Sequence, residues 1–239
     1  MSRDRIRAIS RKELREYRHN GSIIATMAVL PAIFVLQPLI QLFSLPASSA
    51  GTLMHKDPLL YMLGIPALVP ASLAAYAIVG ERQQGTLEPM LTTPIRRDEL
   101  LVGKALAVLM PALVIGYVVF ALSALSIEIF AASPFASAVL KPGQLIAQVV
   151  FTPLLAALSI WIGTAISARS NDTRVAQQLS ILASLPTVLV TALIAFGVIH
   201  MSTRIAIVLG VVLLAVDIRG WRIVSPMLDR ERLISGTKS

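Results

Sequence analysis

The sequence predicts an all-α integral membrane protein with six transmembrane helices, an N-terminal amphipathic helix and a short cytoplasmic helix between spans 2 and 3. Three observations carry this prediction. First, 56% of the 239 residues are hydrophobic and only 14% are charged, with a mean hydropathy of +0.77. A soluble domain carries about 25% charged residues, which keep its surface wet. Second, most of the apolar residues fall in charge-free runs long enough to cross about 30 Å of hydrocarbon. Third, basic residues alternate between rich and poor segments along the chain.

The elements follow in chain order. Residues 3–18 read as an amphipathic elbow helix. At 100° per residue, Ile6, Ile9, Leu14 and Tyr17 fall within about 140° of one another, with Arg7, Arg11, Lys12, Arg15 and Arg18 on the other side. A cationic helix of this kind lies flat at the headgroups with its aliphatic stripe dipping inward. It orients the first span, or braces a cytoplasmic partner as well. Spans are expected at about 21–45, 58–80, 104–127, 144–168, 175–199 and 203–223. The sixth has the shortest charge-free stretch, Ile205–Val216. It crosses only if Arg204, Arg219 and Arg222 snorkel to the two surfaces. The polar start and the absence of an A-x-A site mark the first span as a retained anchor rather than a signal peptide. The whole chain, 1–239, reads as one transmembrane domain with a tail at 224–239.

Orientation comes from the cations. Eighteen of the 21 basic residues lie in the N-terminus, the 81–104 and 169–174 loops and the C-terminal tail; Lys56, Lys141 and Arg204 alone lie in the alternate segments. The positive-inside rule then places both termini in the cytoplasm of a multi-pass cell-membrane protein. The net charge of +8 is therefore a topology signal, not a nucleic-acid footprint. With no cysteine and three histidines, disulfides, thiol chemistry and metal ligation are not expected. No nucleophile–base or paired-carboxylate set lies at one membrane depth, so the chain is not expected to be an enzyme.

The segment from Glu81 to Lys104, ERQQGTLEPMLTTPIRRDELLVGK, has its own grammar. Gly85 is a natural helix stop. Thr86 can cap a new helix at about 87–92, with Glu88 in its first turn and Pro89 tolerated there. That helix would present Leu87, Met90 and Leu91 across the cytoplasmic mouth, either as a docking element or as a plain chain reversal. Thr93 and Pro94 repeat the cap-and-proline pattern for the next helix.

This pattern, Glu81-Arg82-x-x-Gly85-Thr86-Leu87-Glu88 followed by Leu91, Thr93-Pro94, Glu99-Leu100 and Gly103-Lys104, resembles the coupling loop of ABC-2 type ABC-transporter permeases. The opening Arg11-Lys12-Glu13-Leu14-Arg15-Glu16 is similar to that family's elbow, and Asp229-Arg230-Glu231-Arg232-Leu233-Ile234 to its cytoplasmic tail. The resemblance implies a coupling helix within 81–103 that seats in a separate nucleotide-binding subunit, with Glu81, Gly85, Thr86, Leu87, Glu88, Met90, Leu91 and Pro94 as the partner-binding residues. It also implies a second permease, a copy or a paralogue, and ATP with Mg on the partner. The chain itself carries no G-x-x-x-x-G-K-[ST] phosphate loop and so needs no cofactor of its own. Only His200 to Arg204 separate the last two runs, leaving little room for the re-entrant outer helices of some family members.

Within the spans, Gln37 and Gln41 share one face of the first helix beside Pro38, and Thr187 and Thr191 share one face of the fifth near Pro186. The resemblance makes them candidates for a substrate path; otherwise they are interhelical hydrogen-bonding groups. Asp217 reads as paired with Arg219 or a headgroup amine. Small residues repeat every four positions at Ala67, Ala71 and Ala75 and at Ser159, Gly163 and Ser167, which permits close helix packing. The function expected is the membrane subunit of an ATP-driven exporter of an amphiphile such as a drug, lipid or hydrophobic peptide. An ATP-independent secondary transporter and a non-transporting scaffold are the alternatives.

Overall fold

The computed structural model describes residues 2–44, 57–86, 95–130, 136–137, 139–199 and 202–228, without side-chain detail at 22, 37–39, 41–44 and 228. Among them there is no strand. The helices are α1 (Arg3–His19), α2 (Gly21–Ser44), α3 (Gly64–Gln83, entered through a 3-10 turn at Pro58–Leu63), α4 (Arg97–Phe130), α5 (Pro142–Arg169), α6 (Thr173–Ala195) and α7 (Thr203–Val224). Each apolar run of the sequence is helical over most of its described length. Four stretches are long and apolar enough to cross a membrane: 58–83, 97–130, 142–169 and 173–195. A fifth forms if α1 and residues 23–36, which meet at 78°, are taken as one bent span. The helix α7 carries Arg204, Asp217, Arg219 and Arg222 and is not among these stretches.

The helix α3 is the axis of the bundle. In its most apolar window 94% of residues are buried, against 22% in α4, 39% in α5 and 28% in α6. Those outer helices turn large apolar side chains outward instead. Val114, Val118, Leu122, Leu125 and Ile129 form such a stripe on α4, and Leu182, Leu185 and Leu189 another on α6. A belt of this extent belongs against lipid, not water.

The two small-residue stripes explain why α3 can be buried so completely, because they face each other. The Ser159 hydroxyl donates to the Ala67 carbonyl at 2.7 Å. A Cβ placed on Gly163 would strike the Ala71 carbonyl oxygen and come within 2.8 Å of Ala74 Cβ. Ser167 Oγ accepts from the Ile78 and Val79 N–H groups, both at 3.0 Å. Backbones this close gain dispersion along their whole contact, which is the main attraction left between helices in lipid.

The end of α3 follows the punctuation of the sequence. Gly85 has φ +69°; its N–H bonds to the Arg82 carbonyl at 3.2 Å, and the Thr86 N–H to that of Glu81 at 3.0 Å. This is a Schellman stop, and glycine adopts the left-handed conformation it needs at no steric cost. Gly197, at φ +76°, closes α6 in the same way, so this helix ends at Ala195 and not at 199 as expected.

Elsewhere the structure differs from expectation. The charge boundary at 80 and 104 is not the helix boundary, since α3 runs on to Gln83 and α4 begins at Arg97. The connecting segment is therefore 84–96. Ile95 and Arg96 are not helical, so Thr93-Pro94 does not start α4. Asp217 is buried without an ion pair to Arg219. Residues two apart on a helix point to different faces, and Arg219 is exposed.

The α3–α5 contact is testable. Gly163→Leu is expected to destabilise the chain by about 1–3 kcal/mol through overpacking, seen as a lower melting temperature in detergent. Gly210→Ala, at a helical position where a Cβ meets nothing within 4 Å, should be neutral or stabilising.

Candidate functional site

At the end of the bundle where α1 lies, four charged side chains meet. Lys104, from the start of α4, places its Nζ 2.6 Å from Glu13 Oε1 on α1 and 3.0 Å from Glu81 Oε1 at the end of α3. Its third donor reaches the Ala77 carbonyl at 2.8 Å. All three protons of the ammonium are thus used. Lys12 adds a second cation, 2.8 Å from Glu81 Oε1 and 3.2 Å from Glu16. Glu13, Glu81 and Lys104 are only 3%, 4% and 2% exposed. Charges so deeply buried persist only when paired, and removing one partner of such a pair costs about 3–5 kcal/mol. Burial works against the Lys12 charge, but the hydrogen bond to Glu81 and the charges of Glu81, Glu13 and Glu16 outweigh it and raise its pKa. Burial, and then the nearby Glu13 charge, likewise push the Tyr17 phenol well above its usual value.

Close approach of α1 to α4 lets the cluster form. The Ser10 hydroxyl donates to the Gly103 carbonyl at 2.8 Å, and a Cβ on Gly103 would lie 2.6 Å from Ile9 Cγ2. The apolar stripe of α1 packs in part on protein, with Ile9 and Tyr17 buried and Ile6 and Leu14 half-buried, and Glu13 is buried between them. Lys104 and Glu13 enter the sequence reading only as members of the coupling-loop and elbow patterns, with no role of their own. The signal was present: Glu13 falls inside the arc bounded by Ile9 and Tyr17, where a carboxylate needs a buried cation.

The three residues that precede the 84–96 segment each hold a different neighbour. Glu81 binds Lys12 and Lys104. Arg82 donates to the carbonyl oxygens of Ser170 (2.5 Å) and Ala168 (3.3 Å) at the end of α5. Gln83 accepts from the Thr173 hydroxyl at the start of α6, at 3.0 Å. On the far side of the segment, Asp98 accepts from the Ser225 hydroxyl after α7 at 2.6 Å. Glu99 accepts from the Ser2 N–H at 2.7 Å, from Arg5 at 3.4 Å and from the Arg96 N–H at 3.3 Å. The last bond is the returning half of a capping box and starts α4. Both ends of the 84–96 segment are thereby tied to α1, α5, α6 and α7.

The predicted partner-binding residues divide. Glu81 faces inward, into the charge cluster, rather than toward a partner surface. Gly85 and Thr86 are exposed, and the Thr86 hydroxyl donates back to the Glu81 carbonyl at 3.4 Å. Leu87, Glu88, Met90, Leu91 and Pro94 lie outside the described residues, as do 229–239. Toward the opposite end of the bundle, Thr187 and Thr191 come together on the wall of a cavity of about 260 Å³ between α5, α6 and α7. It is otherwise apolar except near these two, and the Thr191 hydroxyl is turned onto the Val188 carbonyl at 2.8 Å. No described residue of α2 lines this cavity, and the side chains of Gln37 and Gln41 are outside the description. Among the described residues there is no cluster of metal-binding side chains.

Residues 7–218 match the family model of the ABC-2 family transporter proteins. The chain belongs to that family. No curated protein matches it. The match spans α1 to most of α7, so the helix α1 and its charge cluster are part of the ABC-2 permease body and not an appendage.

The Glu99 anchor carries a pH signature. Its hydrogen bond from the Ser2 N–H, reinforced by Arg96 and Arg5 against the opposing effect of burial, holds its pKa below the ordinary 4.5. A carboxylate with a depressed folded pKa stabilises above its unfolded value and loses that contribution as pH falls through the folded one. A nitroxide at Arg3 should therefore stay immobile down to pH 4.5 and loosen only below it. Loosening centred at or above 4.5 would contradict the anchor.

Proposed function

We propose that this chain is the membrane-spanning subunit of an ATP-driven exporter. Six helices cross the cell membrane with both termini in the cytoplasm: α2, then 58–83, then α4 to α7. The α7 charges snorkel to the two faces. The basic residues support this orientation, since residues 3–18, 81–104, 169–174 and 219–238 hold 18 of the 21 cations of the chain. In this reading α1 is the elbow, and 84–96 carries the coupling helix that seats in a separate ABC ATPase subunit. ATP and Mg act on that subunit; this chain hydrolyses nothing. A second permease, a copy or a paralogue, completes the unit.

The observation that carries the reading is the run Glu81-Arg82-Gln83. A segment displaced by a partner would pull on α1, α4, α5 and α6 at once, because consecutive side chains at its root bind each of them. A simple chain reversal has no need of such wiring. The apolar cavity with Thr187 and Thr191 supports an amphiphilic cargo, a drug, lipid or hydrophobic peptide.

The test is purification of the tagged full-length chain from its own membranes in mild detergent, with mass spectrometry of what accompanies it. A nucleotide-binding ABC subunit is expected near 1:1 stoichiometry, and it should be lost on combining Leu87→Asp with Leu91→Asp. A chain that purifies alone, or keeps its ATPase despite both changes, would overturn the proposal in favour of a secondary carrier or a scaffold.

A further inference from the structure

A second space lies outside the bundle, on the flank formed by α5 and α7. It is a groove of about 620 Å³, lined from Gly143 to Leu154 on α5 and from Thr203 to Leu214 on α7. At 1.5 Å per residue each wall is about 16 Å long. That is close to the depth of one leaflet of a hydrocarbon core of about 30 Å.

The groove exists because small residues stand where large ones would fill it. Gly143, Ala147, Ala206 and Gly210 all line it, and a Cβ on Gly143 or Gly210 meets nothing within 4 Å. A glycine inside a helix costs roughly 0.5–1 kcal/mol relative to alanine. At Gly163 the close approach of α3 accounts for that cost; at Gly210 no neighbour among the described residues does.

The two ends of the groove differ chemically. Leu154, Val211 and Leu214 make one end entirely apolar. Asp57, Lys141 and Gln144 stand at the other. There Asp57 Oδ1 accepts from Lys141 Nζ and from Gln144 Nε2, both at 3.0 Å, while Gln144 Oε1 accepts from the Leu59 N–H at 3.3 Å. Gln144 is 3% exposed and locks the carboxylate in place. The ion pair itself keeps 28% and 30% of its side-chain surfaces open. A fixed carboxylate beside an ammonium complements a ligand that carries the opposite pair, phosphate beside ammonium.

We infer that this groove is a binding site for one zwitterionic phospholipid. One acyl chain lies between α5 and α7, with the phosphate on Lys141 and the headgroup amine on Asp57. The site needs only that α5 and α7 stand in a bilayer; it does not depend on the direction of transport or on an ATPase. Leu60, Ala147 and Phe151 line both this groove and the cavity that holds Thr187 and Thr191. The lipid therefore rests on the outer side of the wall that encloses the candidate substrate path.

The experiment uses the full-length chain, stripped of lipid in excess detergent and then offered dioleoyl phosphatidylethanolamine or dioleoyl phosphatidylglycerol, with native mass spectrometry counting what remains bound. One phosphatidylethanolamine per chain is expected, held at least tenfold more tightly than phosphatidylglycerol, which has no amine. Gly210→Trp should weaken it at least tenfold by filling the groove, whereas Gly210→Ala should leave binding intact. Asp57→Asn combined with Lys141→Met should remove the preference for the amine-bearing lipid. Melting temperatures verify that each variant is folded. Equal retention by folded Gly210→Trp, or phosphatidylglycerol held as tightly as phosphatidylethanolamine, would overturn the assignment.

Discussion

A single ammonium group holds together the end of this molecule where α1, the last turn of α3 and the start of α4 meet. Lys104 has three protons and three acceptors, drawn from α1, from the last turn of α3 and from the backbone one turn earlier. Two carboxylates are buried there, and Lys104, assisted by the half-exposed Lys12 at 2.8 Å from Glu81 and 3.8 Å from Glu13, keeps them charged in so dry a place. Their burial in turn requires α1 to lie against α4, which Gly103 permits by lacking a side chain under Ile9. The N-terminal helix is thus bound by a charge constraint as well as by its apolar stripe. A cluster of this kind is a poor source of net stability but a strong specifier of geometry, because misplaced partners leave a buried charge unpaired.

From that cluster the rest of the architecture follows along α3. Along the two small-residue stripes its packing against α5 is backbone on backbone, which leaves little room for one helix to slide on the other. The same helix leads from the charge cluster at one end toward the cavity walled by Leu60 and Leu63 at the other. A disturbance at Glu81 therefore has a stiff route to the region of Thr187 and Thr191. In the proposed reading this joins the root of the coupling segment to the candidate cargo path.

Much of this was legible in the sequence, for physical reasons that differ by element. Helix positions followed from charge-free runs, because lipid forbids unpaired backbone outside helices. Gly85 was readable as a stop since only its residue type takes a left-handed turn freely. The two small-residue stripes were visible by spacing, but that they meet each other is a fact of three-dimensional packing. Helix ends were less legible. A charged residue marks the edge of the hydrocarbon, whereas a helix continues wherever its charges find partners, as Glu81, Glu99 and Lys104 do. Asp217 and Arg219 were paired by proximity in the chain, which a helix does not respect. Glu13 was overlooked because a polar residue on a basic helix draws no notice until its angle is compared with those of Ile9 and Tyr17.

The most direct test of the central constraint is a thermodynamic cycle on Lys104→Met, Glu13→Gln and Glu81→Gln, read by unfolding of the full chain in detergent. If the ammonium holds the two carboxylates, Lys104→Met alone should cost about 3–5 kcal/mol. The triple variant, with no charge left to compensate at these three positions, should recover part of that loss, with an interaction energy of about 1–3 kcal/mol. Three effects that simply add to within about 0.5 kcal/mol would mean that the charges are independent, and that something else holds α1 to the bundle.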